Sequence, residues 1–207
     1  MEKSLLASLF FLFSFSMNAQ TVVVATDKMN VFYTGVDNPV IVAVEGIADE
    51  KLKVSTDNGV IIKIEKGRFN AQPERTGVGN IIIEWNEQKV LKPFRVKQIP
   101  DPHIALGFKS GEFSLGFGYE PFNGLIADLQ NFDFKAQCGV VSYTCCVISE
   151  NGENRQAKVN GPASSELSRI LSNVKKGDKV IFSDISVRCP GDKLPRLLKE
   201  SITRTVK

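Results

Sequence analysis

The chain has a single histidine, His103, in 207 residues, and that scarcity excludes much hydrolytic chemistry. A Ser-His-Asp or Cys-His arrangement needs an imidazole base held by a third group beside a nucleophile. Only His103 could serve, and it stands beside Pro100 and Pro102 in a stretch that reads as a linker. It is therefore expected at the linker or a domain interface rather than at a catalytic centre. There is no Gly-x-Ser-x-Gly elbow, no His-Glu-x-x-His, and no Gly-Lys-Ser/Thr phosphate loop. No Asp-x-Asp-x-Asp-Gly loop marks calcium. The expectation is a protein that is not an enzyme, with no catalytic residues, no metal and no cofactor.

Charge of one sign is lacking too. The 26 basic and 23 acidic residues leave a net charge of +3, and only Lys175-Lys176 places two cations side by side. Nucleic acid is not an expected partner. Long apolar runs are confined to the N-terminus, where Lys3 precedes Leu5–Phe13 and Ala19 offers a small residue for cleavage. That run is too short to stay across a bilayer but suits a signal peptide, read here as residues 1–19. No retained membrane segment is expected, and the mature chain belongs in the periplasm, with an extracellular place as the alternative.

Cysteine is missing from the first half. Cys138, Cys145, Cys146 and Cys189 all lie in the second, without repeated C-x-x-C spacing, so a zinc ribbon is a poor reading. An exported chain can keep disulfides. On a strand through Gln137–Ser149, Cys138 and Cys146 share a face and Cys145 takes the other. A bridge from Cys189 to one of these three is one reading, with the pairing open; small apolar core fillers are the other.

What is present is strand signal. Residues 20–98 carry candidates at Thr21–Ala25, Met29–Tyr33, Val40–Val44, Leu52–Ser55, Val60–Glu65, Asn80–Trp85 and Leu91–Val96. Turn chemistry such as Asp57-Asn58-Gly59 separates them, and no helical pattern interrupts. This predicts an Ig-like β-sandwich over 20–98 without the Cys…Trp…Cys hallmark. Two prolines make 99–103 a stiff linker. Residues 104–207 form a second β-rich domain, with an extended stretch from Phe132 to Ile148 and strands at Lys179–Ile185 and Ser201–Val206. One amphipathic helix is expected near Ser164–Val174, capped by Ser164 and ended by Gly177. The fold class is thus mainly β, two consecutive sandwich-like domains, the second with a packed helix.

Two segments are candidate binding surfaces. One is the loop Gly35, Val36, Asp37 and Asn38; the other is the glycine-rich stretch carrying Phe113, Phe117, Tyr119 and Phe122. Aromatics there could stack a sugar or a partner side chain, although tight turns plus core aromatics are the favoured reading.

Three strings carry a resemblance. They are Asp27-Lys28-Met29-Asn30-Val31-Phe32-Tyr33-Thr34-Gly35-Val36-Asp37-Asn38-Pro39, Gly124 to Phe134, and Lys176 to Ile185 followed by Cys189-Pro190-Gly191-Asp192. In this order they resemble the C-terminal periplasmic region of GldM, the gliding-motility and type IX secretion protein of Bacteroidetes. The resemblance implies two β-rich domains, homodimers, envelope partners from the secretion or gliding machinery, and no enzymatic activity. The signal peptide stands where that family carries a membrane anchor and helical domains, so motor function is not expected to carry over. A periplasmic scaffold or adaptor is the leading expectation. An extracellular glycan- or peptide-binding module is the alternative.

Overall fold

A computed structural model describes residues 21–26, 31–107 and 124–206. Residues 1–19, read as a signal peptide, lie outside the described residues, as do Phe113, Phe117, Tyr119 and Phe122. The protein is mainly β, in two sandwich-like domains, each with its own core.

In the first domain, β1 (Val22–Thr26), β2 (Val31–Tyr33), β3 (Asn38–Val44) and β4 (Lys53–Thr56) lead into β5 (Val60–Glu65), β6 (Arg68–Gln72), β7 (Gly77–Trp85) and β8 (Gln88–Lys97). One sheet has the order β1-β3-β6-β5, the other β2-β8-β7-β4. β1 pairs antiparallel with β3, whereas β2 runs parallel to β8, so the chain changes sheet between them. This is the strand order of an immunoglobulin-type sandwich with a divided first strand. Alternation explains the core: Val40, Val42 and Val44 from β3 face Ile81, Ile83 and Trp85 from β7. Phe32 and Phe94 fill the end of the core with ring centroids 4.2 Å apart.

Among the described residues of this domain eight strands are present where seven were expected. The additional one, β6, reads Arg-Phe-Asn-Ala-Gln, and only Phe69 and Ala71 point inward. Its polar residues belong to the solvated face, which hides the strand from a hydrophobicity reading.

The second domain opens with a hairpin of β9 (His103–Leu106) and β10 (Leu125–Asp128). β11 (Gly139–Ile148), β12 (Asn154–Asn160), α1 (Ser165–Leu171), β13 (Lys179–Arg188), β14 (Arg196–Leu197) and β15 (Ile202–Thr205) follow. The main sheet runs β12-β11-β13-β14, with β15 also on β13. Tyr143, Cys145 and Val147 of β11 are buried against Leu167, Ile170 and Leu171 of α1 and residues of β13. Ser164 caps α1, its Oγ accepting from the Leu167 N–H at 3.4 Å. The helix ends at Leu171, one turn before the expected Val174. Of the expected extended stretch, only Gly139 onward forms a strand, because Phe132 and Phe134 are used for a different contact.

Candidate binding cleft between the two domains

The loop after β2 is wedged into the second domain. The Tyr33 ring meets Phe132 and Phe134 edge-on, at centroid distances of 4.9 and 5.2 Å. Val36, 8% exposed, belongs to the second domain's core rather than to its own. Gly35 lies back to back with Gly191: a Cβ added to Gly35 would fall 2.6 Å from the Gly191 Cα, and closer still to its nitrogen. Both glycines have positive φ, +77° and +80°, so side chains are disfavoured there twice over.

Asn38 explains why the loop folds inward. Its Oδ1 accepts from the Tyr33 N–H at 2.8 Å, and its amide N–H groups serve the carbonyls of Tyr33, Val36 and Ala71. With only 1% exposure, Asn38 is a structural pin, not the surface contact its place in a polar turn suggests. Val36 is turned inward for the reason given above. Gly35 and Asp37 remain at the surface, and Asp37 Oδ1 accepts from Gln72 Nε2 at 2.7 Å.

On the other side, Arg196 locks the linker. Its Nε donates to Asp192 Oδ2 at 2.8 Å, and its Nη1 donates to the Ile99 carbonyl and to Asp101 Oδ1 at 2.8 and 2.9 Å. Ile99 is 1% exposed. The Asp192 carboxylate also accepts from the Cys189 N–H at 2.8 Å, tightening the turn that carries Gly191. Two atoms at this joint, Thr34 Oγ1 and Arg196 Nη2, are buried without a hydrogen-bond partner.

Beside the joint opens a cleft of about 760 Å³, and a hollow of about 410 Å³ adjoins it, sharing Thr34, Glu74, Arg75, Gly191 and Lys193. Gly35, Val36 and Asp37 line the larger space. Arg75 is positioned by a second buried asparagine. Asn58 Oδ1 accepts from the N–H groups of Glu74 and Arg75, and Asn58 Nδ2 donates to the Arg75 carbonyl. Lys135 and Lys193 come from the two second-domain segments that flank the wedge. None of Arg75, Lys135, Lys193 or Arg196 stands out in the sequence. They are single cations in ordinary surroundings, brought together only by the docking of the domains.

Cys138 and Cys189 form a disulfide; Cys145 and Cys146 are free. Burial pushes the Cys145 thiol up to about 12, with the neighbouring Cys146 adding to the shift. His103 is exposed on β9, its Nδ1 3.9 Å from Glu200 Oε2. Among the described residues no group of three His, Cys, Asp or Glu side chains could hold a metal, and no helix is long and apolar enough to cross a membrane.

The GldM third-domain profile matches residues 21–97, and the GldM C-terminal-domain profile matches residues 100–203. The chain belongs to the GldM family. These GldM-type domains place it with the gliding-motility and type IX secretion proteins of the cell envelope, a family of non-enzymatic machinery components. No curated protein matches the chain. Two structures of the S-layer protein SbsC are among the similar solved structures. Domains 5–6 show 13% identity and a TM-score of 0.28, covering 90% of this chain and 98% of that one. Domains 4 and 5 show 11% identity and a TM-score of 0.35, covering 90% and 96%. Likeness at this level carries no argument about the GldM-type chain.

Proposed function

We propose that this protein is an exported, non-catalytic scaffold or adaptor of the bacterial envelope, linked to the gliding-motility or type IX secretion machinery. The observation that carries the reading is the pair of consecutive GldM-type domains spanning residues 21–97 and 100–203. The joint between them supports it. A backbone-on-backbone contact at Gly35 and Gly191, the Tyr33 wedge and the Arg196 lock make the pair one stiff unit. A stiff two-domain unit suits a part that transmits position between envelope proteins. Its place is the periplasm.

Crosslinking in intact cells, followed by capture of the tagged protein and mass spectrometry, tests this. Envelope proteins of the secretion or gliding machinery are the expected partners. Capture of no envelope protein would sink the reading.

A further inference from the structure

We propose that the interdomain cleft is a docking site for an extended acidic segment of another protein. The inference rests on the adaptor reading and names the chemistry of its partner.

Charge is the first observation. Arg75, Lys135 and Lys193 reach the cleft from three separate segments, against the carboxylates of Asp37 and Glu74. Asp37 already accepts from Gln72. Lys135 and Lys193 make no ion pair among the described residues, whereas the Arg75 guanidinium donates to the Asp57 carbonyl at 3.3 Å and its charge also acts on the Asp57 carboxylate. Three cations against two carboxylates, with Lys135 and Lys193 in no ion pair among the described residues, favour an anionic occupant.

The strand edge is the second. Val60, 51% exposed, lies on the cleft wall and begins β5, the outermost strand of its sheet. β5 pairs only with β6 among the described residues, so its outward backbone edge is available to an added strand. At its far end the edge is blunted by a register irregularity between Lys63 and Glu65 and by Lys63, which bonds the buried Asp49. The accessible part is the end beside the cleft. A segment in extended form can therefore pair with the start of β5 while its carboxylates reach the three cations.

Thr34 is the third. It is 4% exposed, it lines both the cleft and the adjoining hollow, and its hydroxyl has no partner. A buried hydroxyl without a partner is uncommon in a finished core.

The test uses the oxidised, full mature chain and a fluorescein-labelled peptide of alternating Glu and Val, followed by anisotropy at about 10 mM ionic strength, where screening is weak. Saturable binding is expected, weakened about tenfold in Lys135→Gln/Lys193→Gln. The control Lys175→Gln/Lys176→Gln removes an equal charge from a different hollow of the second domain and should change affinity less than about twofold. A peptide with Lys in place of Glu should not bind. The proposal is overturned by absence of saturable binding, by equal loss in both double variants, or by displacement with inorganic phosphate at matched charge. Cellular crosslinks recovered without peptide binding would reject the cleft alone; peptide binding without any crosslinked envelope protein would reject the adaptor reading.

Discussion

Gly35 of the first domain and Gly191 of the second meet backbone to backbone, and neither position has room for a Cβ. A side chain on Gly191 would fall 2.8 Å from the Thr34 carbonyl oxygen, and one on Gly35 would enter the Gly191 backbone. The joint is thus set by the smallest residue on both sides. Gly35→Ala should cost about 2–4 kcal/mol, combining left-handed strain of about 1–2 kcal/mol with the forced separation. Gly46→Ala is the control. It shares a positive φ of +74° but has nothing within 4 Å of the added carbon, so only the strain applies. Small-angle scattering should report a more extended particle for Gly35→Ala and an unchanged one for Gly46→Ala. Identical profiles would mean that the joint does not depend on this contact.

Asn38 holds the wedge in shape, and its removal leaves several backbone groups without partners. Asn38→Ala should destabilise the protein by about 2–4 kcal/mol, since each buried group left unsatisfied costs about 1–3 kcal/mol. Chemical denaturation with Trp85 fluorescence measures this, because the single tryptophan lies in the first core. A loss below about 0.5 kcal/mol would place Asn38 among ordinary surface residues.

The disulfide connects the two segments that grip the wedge. Phe132, Phe134 and Lys135 precede Cys138; Gly191, Asp192 and Lys193 follow Cys189. With a separation of 51 residues, loop-closure entropy predicts about 4 kcal/mol of stabilisation for the second domain. Reduction, or Cys138→Ser, should lower that domain's denaturation midpoint by a corresponding amount. The Trp85 signal should move less, because the first core contains no cysteine. Equal shifts in the Trp85 signal and in second-domain circular dichroism would show instead that the two domains unfold as one.

Asp49 sets a pH dependence. The Lys63 ammonium hydrogen-bonds its carboxylate, and the Gly67 N–H adds a bond at 2.9 Å; together these lower its pKa although burial pushes the other way. A folded-state pKa below the unfolded value means stabilisation that is present above about pH 4 and lost as pH falls through the folded value. Asp49→Asn should therefore cost about 1–2 kcal/mol at neutral pH, and its deficit should shrink as pH falls below about 4. Denaturation midpoints for both proteins across that range decide it. A deficit independent of pH would assign the effect to packing.

What could be read in the sequence was local. Val60–Glu65 was legible because a run of Val and Ile between turns has few alternatives, and Ser164 was legible because a cap precedes its helix by rule. β6 and β12 were not, since each is mostly polar: Val159 is the one fully buried residue of Asn154–Asn160. The loop Gly35–Asn38 reads as an exposed turn, and only the long-range surroundings of Val36 and Asn38 reveal that these two face inward. The cleft was illegible for the same reason. Arg75, Lys135 and Lys193 are far apart along the chain, and no local pattern records which cations a domain joint will gather.

The free thiols provide a test of register in the second domain. Cys145 and Cys146 are adjacent on β11, so they point to opposite faces. Cys145 is completely buried, and its thiol is pushed up to about 12, which leaves about one molecule in ten thousand as thiolate at pH 8. Cys146 is partly exposed, its Sγ 3.0 Å from Asn154 Oδ1. Iodoacetamide on the folded, oxidised protein should modify Cys146 and spare Cys145, while Cys138 and Cys189 react only after reduction. Peptide mapping by mass spectrometry separates the sites. Slippage by one residue would exchange the faces of every side chain on the strand, exposing Cys145 and burying Cys146. Preferential labelling of Cys145 would therefore overturn the β11 register and, with it, the placement of Tyr143 and Val147 in the core.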